Sequence, residues 1–386
     1  MHYFQQRYLV EASTFPAAAG LLTIDLPNKG LLSGIEIRVQ GINGDNSAKN
    51  QVWLHDRLKK FEVMVNGSQV VKSYDGRQLL AMMLHKRTPI LDHDAKNMNG
   101  ASAKEYFYIN LGRHYHDLEY MLDLSQVNDP ELRIEYDFGM LGAAGWNEGV
   151  SMVEPWPSYY IICHMLRDTA LVPKGYIKTA EIHRVDNATG LGYNLTVPRG
   201  PTYSNLYLQS WWVGMGIGQI VEHAEMNINS DNIIPWRVRP EDWEAQIVRL
   251  YGGNFQMQQQ CHPTGAQAYP FPLEQGWWYS RMAENVDADG AGGDLWGNSA
   301  AYQYRVDSTG LAGAASIHSF LIYTGIAPFS VWPITILNPW DPETWIDTHV
   351  LGDFWIRVEE TVGAKVGVMK LLGDEVVTKY TTPSWP

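Results

Sequence analysis

The sequence predicts an all-β protein built as two similar eight-stranded antiparallel units in tandem, with a few short helices. Three observations carry this. First, apolar and polar residues alternate at period two through many short runs, each bounded by turn residues, which is the pattern of strands with one buried face. Second, the chain states one plan twice. LLTIDLPNKGLLSGIEIRVQG from Leu21, a loop and then LKKFEVMVNG are answered by LGYNLTVPRGPTYSNLYLQSWW from Leu191, a loop and then IVEHAEMNIN. Third, each half carries one helix-like interruption at the same relative place: DGRQLLAMML from Asp75, and RPEDWEAQIVRLY from Arg239 with Pro240 in its first turn. Identical order of several weak matches is the mark of internal duplication.

The matches can be read residue by residue. Ile24, Leu26 and Pro27 align with Leu195, Val197 and Pro198. Ile35 and Ile37 align with Leu206 and Leu208, and Val63, Val65 and Asn66 with Met226, Ile228 and Asn229. Pro27 and Pro198 each end a strand, where a missing N–H costs little. Further on, YFYINLGR from Tyr106 is paired with SFLIYTGI from Ser319. Asp129-Pro130-Glu131, ahead of LRIEYDF, is paired with Asp341-Pro342-Glu343, ahead of FWIRVEE. The halves close on YYIICHMLRD from Tyr159 and VGVMKLLGD from Val366.

In chain order, the first half offers strands starting near Gly20, Ser33, Lys60, Gln69, Lys104, Leu118, Glu131 and Ser158. Turn signals separate them at Pro27–Gly30, Asn43–Asn46, Asn66-Gly67, Asn99-Gly100 and Asn128–Pro130. Asn66-Gly67 between alternating runs predicts a tight hairpin. A short hinge, Asp168 to Gly175, predicts two closely packed domains, residues 1–170 and 171–386. The second half offers strands near Leu191, Ser204, Val221, Ile233, Ile317, Phe329, Gly352 and Lys365, with an additional run from Tyr176 to Val185 ahead of them. It also carries an insertion, Tyr251 to Ala315, rich in Gly, Gln, Ala and aromatics and poor in alternation. A loop of that length in a compact domain has a purpose, and it is expected to project from one end.

Composition narrows the functional classes. The formal net charge is −13, and no Lys/Arg cluster breaks the acidic balance. That argues against a nucleic-acid-binding face and against adhesion to an anionic membrane. The two cysteines, Cys163 and Cys261, make no disulfide framework, and Cys163 reads as a small buried hydrophobe within an apolar strand. The opening MHYFQQRYLVEAS lacks the apolar core of a secretion signal, and no apolar run reaches the length of a membrane-spanning helix.

An eight-strand antiparallel unit closes most simply as a two-sheet jelly roll, so two fused copies form a double jelly roll. On the strand order, the paired helical interruptions and the long loop of one half, the chain from about Leu21 to Lys379 resembles the double jelly-roll major capsid proteins of tailless icosahedral viruses. No sharp sequence motif carries the likeness. It implies a structural virion protein without catalysis. Three copies would form a pseudo-hexameric capsomer that tiles an icosahedral shell, with loops rising outward. The implied partners are the chain itself, as homotrimer and lattice neighbour, together with minor capsid or vertex proteins and an internal membrane, and no direct contact with nucleic acid. The implied setting is the capsid shell after synthesis in the host cytoplasm. The chain departs from the family at its start, which shows no long basic or amphipathic helix; this removes the sequence support for a membrane contact.

Catalytic and metal-binding constellations are incomplete, so no catalytic, cofactor or metal residue is assigned. His114-Tyr115-His116 with Glu119 suggests a cupin-type site, because residues i and i+2 of a strand share a face. The spacing is short, however, and no later His completes the set; an exposed strand edge or loop is the preferred reading. Asn285, Asp287, Asp289 and Gly290 resemble the start of a calcium loop, but Trp296 stands where such a loop needs Glu. Asp294 could compensate, and a Gly/Asp surface loop is the simpler reading. Asp92-His93-Asp94 reads as a solvated turn. Twelve of the fifteen tryptophans follow Gly175, among them Trp211-Trp212, Trp277-Trp278, Trp332, Trp340 and Trp345. Core filling and subunit contact are the favoured roles over sugar stacking. The alternatives from other classes are a two-domain β-sandwich that binds or processes glycans, and a cupin-like metalloenzyme.

Overall fold

A computed structural model describes residues 3–42, 54–88, 93–95, 102–138, 157–167, 171–188, 192–211, 217–230, 232–252, 255–261, 319–325, 328–361 and 367–378. The first half runs β1 (Tyr3–Thr14), β2 (Ala19–Asp25), β3 (Leu31–Ile42), α1 (Leu54–Arg57), β4 (Leu58–Val65), β5 (Gln69–Tyr74), α2 (Gly76–His85), β6 (His93–Ala95), β7 (Ser102–Asn110), β8 (Leu122–Asp123), β9 (Glu131–Asp137) and β10 (Ser158–Arg167). The second half begins with β11 (Tyr176–Ala188), β12 (Tyr193–Thr196), β13 (Thr202–Trp211), α3 (Ile217–Ile220), β14 (Val221–Ile228), β15 (Ile233–Val238) and α4 (Pro240–Tyr251). It ends with β16 (Phe255–Cys261), β17 (Ser319–Gly325), β18 (Val331–Pro333), β19 (Ile346–Asp347), β20 (Phe354–Glu360) and β21 (Gly367–Val377).

Each half forms one eight-stranded jelly roll. In the first, β1-β10-β3-β7 lie side by side in one sheet and β2-β9-β4-β5 in the other. In the second, the corresponding rows are β11-β21-β13-β18 and β12-β20-β14-β15. Numbering the framework strands of each unit one to eight in chain order, both units read 1-8-3-6 and 2-7-4-5. Every pairing within these rows is antiparallel. The order follows from alternation: with one face of every strand apolar, two sheets must close those faces on each other. Ile35, Ile37, Phe61, Val63, Phe107, Ile134 and Ile161 fill the first interior. Leu206, Leu208, Met226, Trp243, Trp332, Ile356 and Leu371 fill the second. Each such side chain withdrawn from water stabilises the fold by roughly 1.5–3 kcal/mol.

The units are joined edge to edge. Strand β5, outermost in the first unit, lies parallel to β11, outermost in the second, with Lys72 opposite Thr179. One nine-stranded sheet therefore crosses the boundary, and the first apolar core takes in Tyr176, Tyr207, Phe329, Val331 and Leu372 from beyond it.

Several sequence expectations are met. The alignments of Ile35 with Leu206 and Ile37 with Leu208 hold in three dimensions, because their cross-strand partners are Cys163 and Gly373, and Ile161 and Leu371. Both helices begin where predicted, α2 behind an Asp75 capping box and α4 with Pro240 in its first turn. Cys163 is buried and free, and burial pushes its thiol up to about 12.

Other expectations are corrected. The opening segment, read only for the absence of a secretion signal, is framework strand β1. The run from Tyr176, read as an addition, is its counterpart β11. Gln5, Gln6 and Arg7 are polar and exposed on both faces of β1, so the period-two signal is weak there. The runs near Leu118 and Ile317 are not framework strands: the first yields only the two-residue β8 on the edge of β3, and the second is β17, which pairs antiparallel with β16. The counterpart of β7 is therefore β18, not SFLIYTGI. The Asp-Pro-Glu pairing also fails. Leu26 N–H donates to Pro130 O and Val197 N–H to Phe354 O, so Pro130 answers Phe354, whereas Asp341 caps a separate 3-10 turn. His93 and Asp94, read as part of a turn, lie in β6, which bridges β7 and β16. The base of the expected loop at 255–261 is strand; residues 262–318 lie outside the described residues.

Candidate functional site at the seam between the units

The seam is built by a helix that is buried along nearly its whole length. GRQLLAMMLH sets an unbroken apolar run, Leu79 to Leu84, between Arg77-Gln78 and His85, so most of its circumference must be covered. All but one of its described residues, from Gly76 to His85, are buried, the first unit covering one side and β18 with the turn before it covering another. Gln78 serves both its start and its docking. Its Oε1 accepts from Asp75 N–H (2.9 Å), completing the cap, and its Nε2 donates to Gln209 Oε1 of the second unit (2.9 Å). At the other end, His85 Nε2 meets the Val331 carbonyl oxygen (2.9 Å). Burial lowers the His85 imidazole to about 4, so it is neutral and donates there.

Beside the helix lies a buried charge cluster drawn from both units. Lys86 Nζ is 2.9 Å from Asp374 Oδ2, and Lys72 Nζ donates to Thr179 Oγ1 (2.9 Å). The Thr179 hydroxyl donates to Asp374 Oδ1, and Tyr207 OH donates to Asp374 Oδ2 (3.1 Å). Burial alone would raise the Asp374 carboxyl, but Lys86, Lys72 and these hydrogen bonds hold it below its ordinary value. Burial, and then the neighbouring Lys86 charge, hold the Lys72 amine well below its ordinary value. One carboxylate thus fastens groups from β5, α2, β11, β13 and β21.

The chain crossing between units is held as tightly. Arg113 forms a two-pronged pair with Asp117 (Nε to Oδ2 2.7 Å, Nη2 to Oδ1 2.9 Å) and reaches Glu119 (2.8 Å), which also takes Lys174 (2.8 Å). Backbone bonds from Lys174 to Glu119 and from Met121 to Gly175 zip the crossing segment to this loop. Gly175 has φ of 148°, and a Cβ there would sit 2.0 Å from Val377 O, so glycine is required. Trp345 stacks edge-on to Tyr120 and Arg87 lies over the Trp340 ring, 3.8 Å from its centre. Those two tryptophans serve the seam, while Trp243 and Trp332 meet edge to face (4.8 Å) in the core.

His114, His116 and Glu119 fall in this same loop, not on a strand, and are not brought together. His114 Nδ1 meets Tyr115 O, and Glu119 is held by Arg113 and Lys174. His116 is sandwiched between Phe4 and Tyr115 (both 3.8 Å) and meets His164, which meets Glu36 (3.1 Å). Among the described residues, no cluster of three His, Cys, Asp or Glu could hold a metal ion, and no helix is long and apolar enough to cross a membrane. Asn285, Asp287, Asp289, Asp294, Trp212, Trp277 and Trp278 lie outside the described residues.

Sequence reading missed the seam groups Lys72, Lys86, Thr179 and Asp374. A charged residue inside an apolar run was the available signal: Asp374 follows VMKLLG as His164 follows YYIIC. The two occupy equivalent places, opposite Thr179 and Gln6 in their units.

No family model and no curated protein matches the chain. Solved structures do. The chain is similar to the STIV MCP, with a TM-score of 0.60, 11% identity and 98% of both chains covered. It is similar to a chain in the atomic structure of Sulfolobus Turreted Icosahedral Virus, with a TM-score of 0.60 and 12% identity, covering 98% of this chain and 91% of that one. It is also similar to the major capsid protein P2 from bacteriophage PM2, with a TM-score of 0.53, 11% identity and 98% of both chains covered. At such identities the likeness is one of fold, end to end.

Proposed function

We propose that this chain is the major capsid subunit of an icosahedral virus, a structural protein that acts by assembly and not by catalysis. The observation that carries the reading is the seam. Two units of identical strand order are fixed side by side by a buried charge cluster, an almost wholly buried helix and a zipped crossing, as a building block of a closed ring requires. The end-to-end likeness in fold to capsid proteins supports it. In this reading residues 1–170 and 171–386 are two blocks of a pseudo-hexamer. Three chains close the ring, and rings tile the shell. The chain's own copies are its principal partners, with minor capsid or vertex proteins at specialised lattice positions, and the virion is its destination after synthesis in the host cytoplasm. An acidic balance keeps free capsomers apart in solution.

Native mass spectrometry of the purified chain at micromolar concentration tests this, with electron microscopy of the same sample. A trimer with a six-sided outline is expected. A persistent monomer would overturn the reading.

A further inference from the structure

The seam inside the chain joins strand five of the first unit (β5) to strand one of the second (β11). Strand five of the second unit, β15, is the outer strand of its four-stranded sheet. Strand one of the first unit, β1, is the outer strand of the eight-stranded sheet. The chain therefore carries a second copy of each half of its own seam, and among the described residues neither half is paired on its outer side.

The correspondence holds at the level of residues. β5 and β15 have the same length, and each is followed by one capping residue, Asp75 or Arg239, and then a helix. β1 and β11 both start opposite the end of their unit's last strand, Tyr3 against Arg167 and Tyr176 against Val377. Both shift register at the same step, after Tyr8 and after Glu181. Lys72 thus corresponds to Trp236, and Thr179 to Gln6.

Burial differs where the seam is missing. Tyr176 is 1% exposed and Thr179 is buried, whereas Tyr3 is 55% exposed and Gln6 is exposed. Helix α2 buries every residue but Arg77, whereas α4 buries Trp243 and Ile247 and leaves Glu241, Ala245 and Arg249 in solvent. Next to it the side chains of Ile233, Ile234 and Ile336 are exposed, beside an open cleft of about 440 Å³ lined by Trp236, Gln246, Leu250 and Ile336. On β1, Tyr3 and Tyr8 are exposed. Each free edge has the apolar surface that the other lacks a cover for.

We infer that the β15–α4 edge of one copy binds the β1 edge of a second copy, side by side, in the register that β5–α2 and β11 keep within the chain. The inference rests on the ring-forming reading above and names the surfaces that close the ring. Trp236 lies opposite the partner's Gln6, Ile233 opposite the partner's Tyr3, Ile234 opposite the partner's Phe4 and Val238 opposite the partner's Tyr8. Each copy has one edge of each kind, so the contact is head to tail and closes when the rotation completes a circle. The same register sets Arg237 opposite the partner's Arg7, the counterparts of Ser73 and Ala180. Glu225, 3.4 Å from Arg237, moderates that repulsion.

The test uses the full chain in a dilution series followed by native mass spectrometry and sedimentation equilibrium, with circular dichroism to show that each variant is folded. Ile234→Asp and Tyr8→Asp alter exposed side chains and are expected to weaken association by about tenfold or more, the effect of losing a desolvated apolar contact. Arg7→Glu is expected to tighten it by roughly threefold or more, because a like-charge pair across two strands becomes an ion pair. Adding Arg237→Glu to Arg7→Glu should reverse that gain. If the wild type forms trimers that none of these changes shifts, the ring closes through other surfaces; this inference fails and the capsid reading stands. Arg7→Glu weakening the trimer would overturn the register. A wild type that remains monomeric overturns both.

Discussion

Asn66 and Asn229 occupy the same corner of the two units and do the same work there. Both adopt left-handed backbone, with φ of 53° and 55°, in the tight turn between strands four and five. Both turn their side-chain oxygen onto the loop that leads into strand seven: Asn66 Oδ1 accepts from Asn128 N–H (2.8 Å) and Asn229 Oδ1 from Gly352 N–H (2.7 Å). Asparagine tolerates this conformation better than other side chains, and here it also satisfies a loop donor.

Replacing either asparagine by alanine therefore removes a hydrogen bond and leaves a β-carbon residue in left-handed backbone. Asn66→Ala and Asn229→Ala are each expected to cost about 1–3 kcal/mol, measured by denaturant unfolding. The duplication predicts similar losses at both sites. A large loss at one and none at the other would show that the corners are not equivalent.

The seam cluster predicts an asymmetry between its members. Asp374→Asn leaves Lys86 buried without its counter-charge and is expected to cost roughly 3–5 kcal/mol. Lys72→Met should cost far less, about 1 kcal/mol or below, since burial already disfavours the charged amine and Thr179 keeps its bond to Asp374. Thermal unfolding of the two variants at neutral pH checks the order.

Acid should loosen the seam before it protonates most carboxylates. The His85 imidazole titrates near 4 when folded and near 6.5 when unfolded. A folded value below the unfolded one means that the unfolded chain binds the proton first. The stability is then fully present above pH 6.5 and lost as pH falls to about 4, by a total of about 3 kcal/mol. His116, also lowered to about 4 by burial and by His164, acts in the same direction. The expected measurement is a denaturation midpoint that falls between pH 7 and pH 4.5. In His85→Gln the fall should be smaller, though not abolished. An unchanged fall would show that His85 does not govern it.

The crossing between units should be intolerant of a single methyl group. In Gly175→Ala the new β-carbon meets the Val377 carbonyl, in backbone that L-residues rarely adopt. A loss of at least about 2 kcal/mol is expected by thermal or chemical denaturation. Gly67→Ala is the control: it shares positive φ but has open space around it, and should cost less.

What could be read from sequence divides by the kind of signal involved. Alternation at period two exposed most framework strands, because a strand with one apolar face writes that face into every second residue; Ile35 and Ile37, and Leu206 and Leu208, are cases in point. Turn chemistry at Asn66-Gly67 and helix starts at Asp75 and Pro240 were legible because caps and turns are local devices. Strand β1 was not, because exposed polar residues Gln5, Gln6 and Arg7 follow one another and break the alternation. The equivalence of β7 and β18 was not, because β18 has three residues and the longer apolar run nearby, β17, pairs with β16 instead.

By itself the sequence determined that the chain is all-β, that its plan is duplicated, and that a helix interrupts each copy at the same relative place, from Asp75 and from Arg239. Those properties reside in local periodicity and in repetition along the chain. Only the tertiary structure decided which strands lie edge to edge, that Lys72, Lys86, Thr179 and Asp374 share one buried cluster, and that among the described residues no strand pairs with the outer side of β15 or β1. Such facts depend on residues up to about three hundred positions apart meeting in space, as Lys72 and Asp374 do through Thr179, and desolvation makes their charges matter only once they have met.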